Sequence, residues 1–104
     1  MIGQVFIGDN LIGEVNFKII DESMGVMGGN MIPNINYEKY QPIIQEHYER
    51  NGISNIHDFS FRIILDSIEL KPEGGIGITD SKEFNEIFVE TEGLDRITLE
   101  KLRE

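Results

Sequence analysis

Apolar and polar residues alternate over much of this chain with the two-residue period of half-buried strands. Val5 and Ile7, then Val15, Phe17 and Ile19 set against Leu11, Glu14 and Asn16, predict two strands over about residues 4–7 and 11–20. Gly8-Asp9-Asn10 lies between them, and these residue types accept the positive φ of a tight hairpin. The second arm ends at Asp21-Glu22-Ser23. Met24 to Pro33 carries apolar residues and three glycines, so a strand here is expected to be bent, bulged or interrupted.

The period then changes. Tyr37, Tyr40, Ile43, Ile44, His47 and Tyr48 share one face at spacings of three and four, which predicts a helix over about residues 37–51. Asn34 and Asn36 are suited to cap its start, and Pro42 predicts a loose first turn with the regular helix beginning near it. Asn51-Gly52 stops it, with Arg50 placed favourably at the negative end of the helix dipole.

Period two returns at Phe59, Phe61, Ile63 and Leu65. Asp66-Ser67 turns the chain through Ile68 and Leu70, and Pro72-Glu73-Gly74-Gly75 breaks it again. Ile76 and Ile78 predict a short strand ending near Asp80; Ile87 and Val89 predict another, and Leu94 to Glu104 one or two helical turns. The expected fold is α+β: an antiparallel sheet of five to six strands with one main helix packed on one face, in a single domain over 1–104.

Composition narrows the function more than the fold. With 104 residues and 39% hydrophobic content, folding buries roughly two-thirds of the unfolded chain's surface, enough for one core. Cysteine is absent, which excludes disulfides, thiolate catalysis and cysteine-held metals. The first residues lack the basic and apolar stretches of a signal peptide, and no apolar run nears the roughly 20 residues that span a bilayer. A soluble cytoplasmic protein is expected.

Nineteen acidic residues against nine basic ones give a formal net charge of −10. Such a field repels phosphate backbones and anionic lipid and attracts basic surfaces. No nucleic-acid or membrane partner is therefore expected, and a basic protein partner is. The acids concentrate between residues 80 and 95, where Asp80, Glu83, Glu86, Glu90, Glu92 and Asp95 face only Lys82. If Ile87 and Val89 point inward, Phe88 points outward among Glu86 and Glu90, an aromatic anchor ringed by carboxylates. Asp80, Glu83, Glu86, Phe88, Glu90, Glu92 and Asp95 form the expected partner-binding surface.

Catalytic signatures are missing. Gly25-Val26-Met27-Gly28-Gly29-Asn30 and Gly74-Gly75-Ile76-Gly77 match no phosphate-binding loop and carry no suitably placed Lys, so they read as bulges and turns. Glu46-His47 lacks the second His of a helical zinc motif; His47 reads as a packing residue, and His57 as the start of a strand or a turn cap. No serine or threonine sits in a nucleophile elbow, and Asp80-Ser81-Lys82-Glu83 places Lys where a calcium loop needs a ligand. No enzymatic activity, cofactor or metal is expected.

In size, acidity, single helix and lack of reactive groups the chain resembles small bacterial immunity proteins, which act by binding a toxin. That resemblance implies a small inhibitory binder. The alternative is a self-associating structural or accessory module that packs through a sheet edge or through Met24, Met27 and Met31. Core packing of those methionines is the plainer expectation.

Overall fold

The computed structural model describes residues 1–84 and 86–103; of residues 54–57 and of Arg103 the backbone alone is described. The chain opens with β1 (Ile2–Ile7) and β2 (Asn10–Asn16), joined at Gly8, whose φ of 58° the hairpin turn requires. Phe17 interrupts the second arm, which resumes as β3 (Lys18–Asp21) and turns back into β4 (Val26–Pro33). A 3₁₀ turn at Ile35–Lys39 leads into α1 (Gln41–Asn51). β5 (Ser54–Asn55) and a single turn, α2 (Ile56–Phe59), precede β6 (Phe61–Leu65) and β7 (Ile68–Glu69). β8 (Gly75–Asp80), β9 (Ile87–Glu92) and α3 (Arg96–Arg103) complete the order.

Nine strands among the described residues form one antiparallel sheet in the order β5-β8-β9-β4-β2-β1-β6-β7, with β3 paired beside β4. This exceeds the five to six expected because β5 and β7 are only two residues long and the second hairpin arm divides at Phe17. β2 and β3 lie along the same edge of β4, Gly13 opposite Pro33 at one end and Asp21 opposite Val26 at the other. Phe17 is buried at the break between them, and the sheet curls into a half-barrel around a single core.

β1, β2, β6, β8 and β9 supply that core by alternation, and β4 adds Met27 and Met31. Val5, Val15, Met27, Ile63, Ile78 and Val89 are all fully or almost fully buried. Tyr37 and Ile44 close it from the helical side, and Leu99 and Leu102 of α3 from the C-terminal side. Met27 and Met31 are core residues while Met24 is exposed.

Of the bend, bulge or interruption expected at its glycines, β4 shows no interruption, while its pairing with β3 carries a register shift between Ile19 and Asp21. A Cβ at Gly29 would come within 2.5 Å of the Asn16 carbonyl, so glycine permits close strand approach there. Two expectations are corrected in detail. Phe59 belongs to α2, because Ser60 has φ 54° and separates it from β6. Ile43 is exposed, leaving Ile44 as the buried isoleucine of α1. The two-residue turn at Asp66-Ser67 is present with both residues at positive φ, as are the Asn34 cap and the Gly52 stop, whose N–H bonds the Tyr48 carbonyl.

Candidate functional site

The acidic stretch does not act as one surface. β8 directs Ile76, Ile78 and Asp80 to the same inner side, so Asp80 enters the interior at 1% exposure. There its carboxylate accepts from the Tyr37 hydroxyl at 2.7 Å, Gln41 Nε2 at 3.2 Å and Gln45 Nε2 at 3.0 Å. Burial, with the Asp80 hydrogen bond and charge behind it, pushes the Tyr37 phenol well above its ordinary range. The assignment of Asp80 to a partner surface is thereby corrected: it fastens the helical segment to the sheet.

Asp95 at the other end also has a local role. It is the residue before α3, and its carboxylate accepts from the Thr98 N–H at 2.7 Å, satisfying a free donor of the first turn. The Thr98 side chain, and behind it this backbone bond, hold its carboxyl below the usual range. Glu83 is exposed in the connection before β9, where its N–H donates to Ser81 Oγ.

The remaining four residues form a row. Ile87, Val89 and Thr91 are buried, which turns Glu86, Phe88, Glu90 and Glu92 to the outer face of β9. Register places Glu90 between Gly28 of β4 and Gly77 of β8, and Glu92 opposite Gly75. No side chain therefore flanks Glu90 across either neighbouring strand. The Phe88 ring and Ile20 of β3 close over Gly28, where a Cβ would lie 2.6 Å from Phe88 Cζ and 2.7 Å from Ile20 Cδ1. Phe88 is half-buried by this contact, and Ile20 remains 56% exposed. On the opposite side a groove of ≈ 180 Å³ runs over Gly74–Gly77, bordered by Ile53, Glu90 and Glu92.

Among the described residues, none of the ion pairs involves Glu86, Glu90 or Glu92, and Lys18 on β3 enters none either. Partial burial, then the neighbouring charge of Glu92, pushes the Glu90 carboxyl above the usual range. The outer face of the other half-sheet is different. Arg62 donates to Glu69 at 2.8 Å, to the Gly8 carbonyl at 2.8 Å and to Asp9 at 3.2 Å, and Lys71 donates to Glu69 at 3.0 Å.

His47 packs edge-on against Phe59 at 5.4 Å between ring centroids and lies 3.6 Å from the Asp58 carboxylate, so it joins α1 to α2. The side chain of His57 lies outside the described residues. No helix among the described residues is long and apolar enough to cross a membrane. Periodicity alone carried Phe88, Glu90 and Glu92 to one face; Ile20, Gly28 and Gly77 join them through strand pairings that no local pattern encodes. Compared with family models, characterised proteins and solved structures, the chain has no significant match, so any reading of its role rests on its own residues.

Proposed function

We propose that this chain is a small non-enzymatic binding domain that engages a basic protein partner through the outer face of β9. The observation that carries this reading is the row Glu86, Phe88, Glu90 and Glu92, where a half-buried aromatic ring lies among acids that enter no ion pair among the described residues. A partly buried carboxylate raised in pKa by its surroundings, as Glu90 is, is a standing cost to the fold, and a partner's Lys or Arg removes that cost on binding. Phe88 and Ile20 offer the apolar contact that slows dissociation, while the net charge of −10 speeds encounter. The reading agrees with an immunity-type or inhibitory binder acting in the cytoplasm. It assigns no role to nucleic acid or to a membrane surface.

The test is affinity capture from a host lysate at low salt, run in parallel with the wild type and with the triple variant Glu86→Lys, Glu90→Lys, Glu92→Lys. A basic protein retained by the wild type, eluted as salt rises and lost from the triple variant is the expected result. Equal retention by both sinks the assigned surface. Self-association is the competing reading, supported by the exposed Ile2, Ile32 and Ile35 away from β9. Light scattering across a dilution series separates the two, since a salt-insensitive dimer requires the self-associating module.

A further inference from the structure

We propose that the groove beside Glu90 and Glu92 is an arginine site, in which a guanidinium carried by an extended segment of the partner bridges the two carboxylates. The inference rests on the basic-partner reading and names the side chain that the β9 face takes. Phe88 and Ile20 fill the Gly28 side of Glu90, so the space left beside its carboxylate lies on the β8 side. There the groove of ≈ 180 Å³ is lined by Ile53, Gly74, Gly75 and Gly77 as well as by Glu90 and Glu92. Two of these glycines have a structural reason: Gly75 has φ 92°, and a Cβ at Gly74 would lie 2.8 Å from Glu92 Cβ. Gly77 has no positive φ, yet it stands inside β8 directly opposite Glu90. A glycine inside a strand weakens it and marks close approach by another group.

The groove does not end at Glu92. A second hollow of ≈ 510 Å³ shares Gly74 and Glu92 with it and continues to Glu73, Asp21 and the exposed Met24. A cleft that runs on in this way suits a side chain presented by a passing chain, whereas small-molecule sites enclose most of their ligand. Charge decides the sign of the occupant, since none of the ion pairs among the described residues involves Asp21, Glu73, Glu90 or Glu92. Spacing decides between the two basic side chains. Glu90 and Glu92 stand two residues apart on one face of β9, about 6.6 Å along the strand. A guanidinium is a flat fork of five donors and can meet both carboxylates; an ammonium is a point charge that meets one.

NMR shift titration of the full chain at low salt tests this, with a blocked glycine–arginine–glycine tripeptide and its lysine counterpart as probes. The arginine peptide should move the amides of Gly75, Gly77, Glu90 and Glu92 saturably. It should bind about two- to five-fold more tightly than the lysine peptide, the range of one exposed ion pair. Glu90→Gln, which takes away one of the two carboxylates, should weaken the arginine peptide and erase its advantage. Glu14 is exposed on β2 and enters no ion pair among the described residues, so Glu14→Gln should change neither. Equal affinity for the two peptides, shifts spread over the whole acidic surface, or none at these four amides overturns the arginine site. The basic-partner reading is judged separately by lysate capture, which does not depend on which basic residue binds.

Discussion

Two glutamates face outward from opposite halves of this sheet, and their surroundings are inverted. Glu69 receives Arg62 and Lys71, whose hydrogen bonds pull its carboxyl down to about 2. Glu90 stands between two glycines beside Glu92, and burial followed by that like charge pushes its carboxyl up. With nine basic residues for nineteen acids, the chain cannot compensate every carboxylate. What matters is where compensation is withheld. On one half-sheet the charges answer one another; on the face around Phe88 no ion pair among the described residues answers them.

The strongest way to break this comparison is to move to its extreme, the carboxylate most completely satisfied from within. Asp80→Ala leaves the Tyr37 hydroxyl and two glutamine amides without their acceptor. Urea denaturation should show a loss of about 2–3 kcal/mol, near the cost of unsatisfied buried polar groups. A loss no larger than that of an exposed acid would remove the distinction between internal and outward-directed carboxylates.

A smaller effect, of opposite sign, sharpens the comparison at Glu90. Its carboxyl is raised in the folded state, so below the ordinary carboxylate range both states are protonated and it costs nothing. As pH rises from the ordinary value towards the raised one, the unfolded state has lost its proton while the folded state keeps it, so a penalty builds up, and it stays constant above the raised value. Glu90→Gln should therefore stabilise the domain at neutral pH by a few tenths of a kcal/mol, reduced by solvent screening. The gain should vanish on acidification below about pH 4, where the unfolded glutamate also protonates. Thermal unfolding followed across pH 3–7 reads this as converging melting temperatures. A gain that grows towards acid contradicts it.

Much of this fold follows from local pattern, and the exceptions have physical causes. The hairpin at Gly8, the turn at Asp66-Ser67 and the helix stop at Gly52 were legible because each needs a backbone state that few residue types accept. The outward row of β9 was legible from alternation. Asp80 was misplaced by its neighbours' charge, although Ile76 and Ile78 carry the same alternation directly to it. Its three donors lie 35 to 43 residues away, and their convergence depends on how the helical segment docks. Asp95 three residues before Thr98 fits the spacing of a helix cap, a signal obscured by the acids around it. The contact of Ile20 and Phe88 over Gly28 follows from a β3-β4-β9 register that only the assembled sheet specifies.

The most direct test of the claim that compensation is withheld around Phe88 is one substitution made at both outer faces. Glu69→Gln and Glu90→Gln should be compared with the wild type by urea denaturation at neutral pH and low salt. A carboxyl held down in the folded state contributes stability above its ordinary pKa, and that contribution is lost as pH falls through about 2; one held up does the reverse. Glu69→Gln should lower the midpoint and Glu90→Gln should raise it. Midpoints that shift in the same direction would contradict the account.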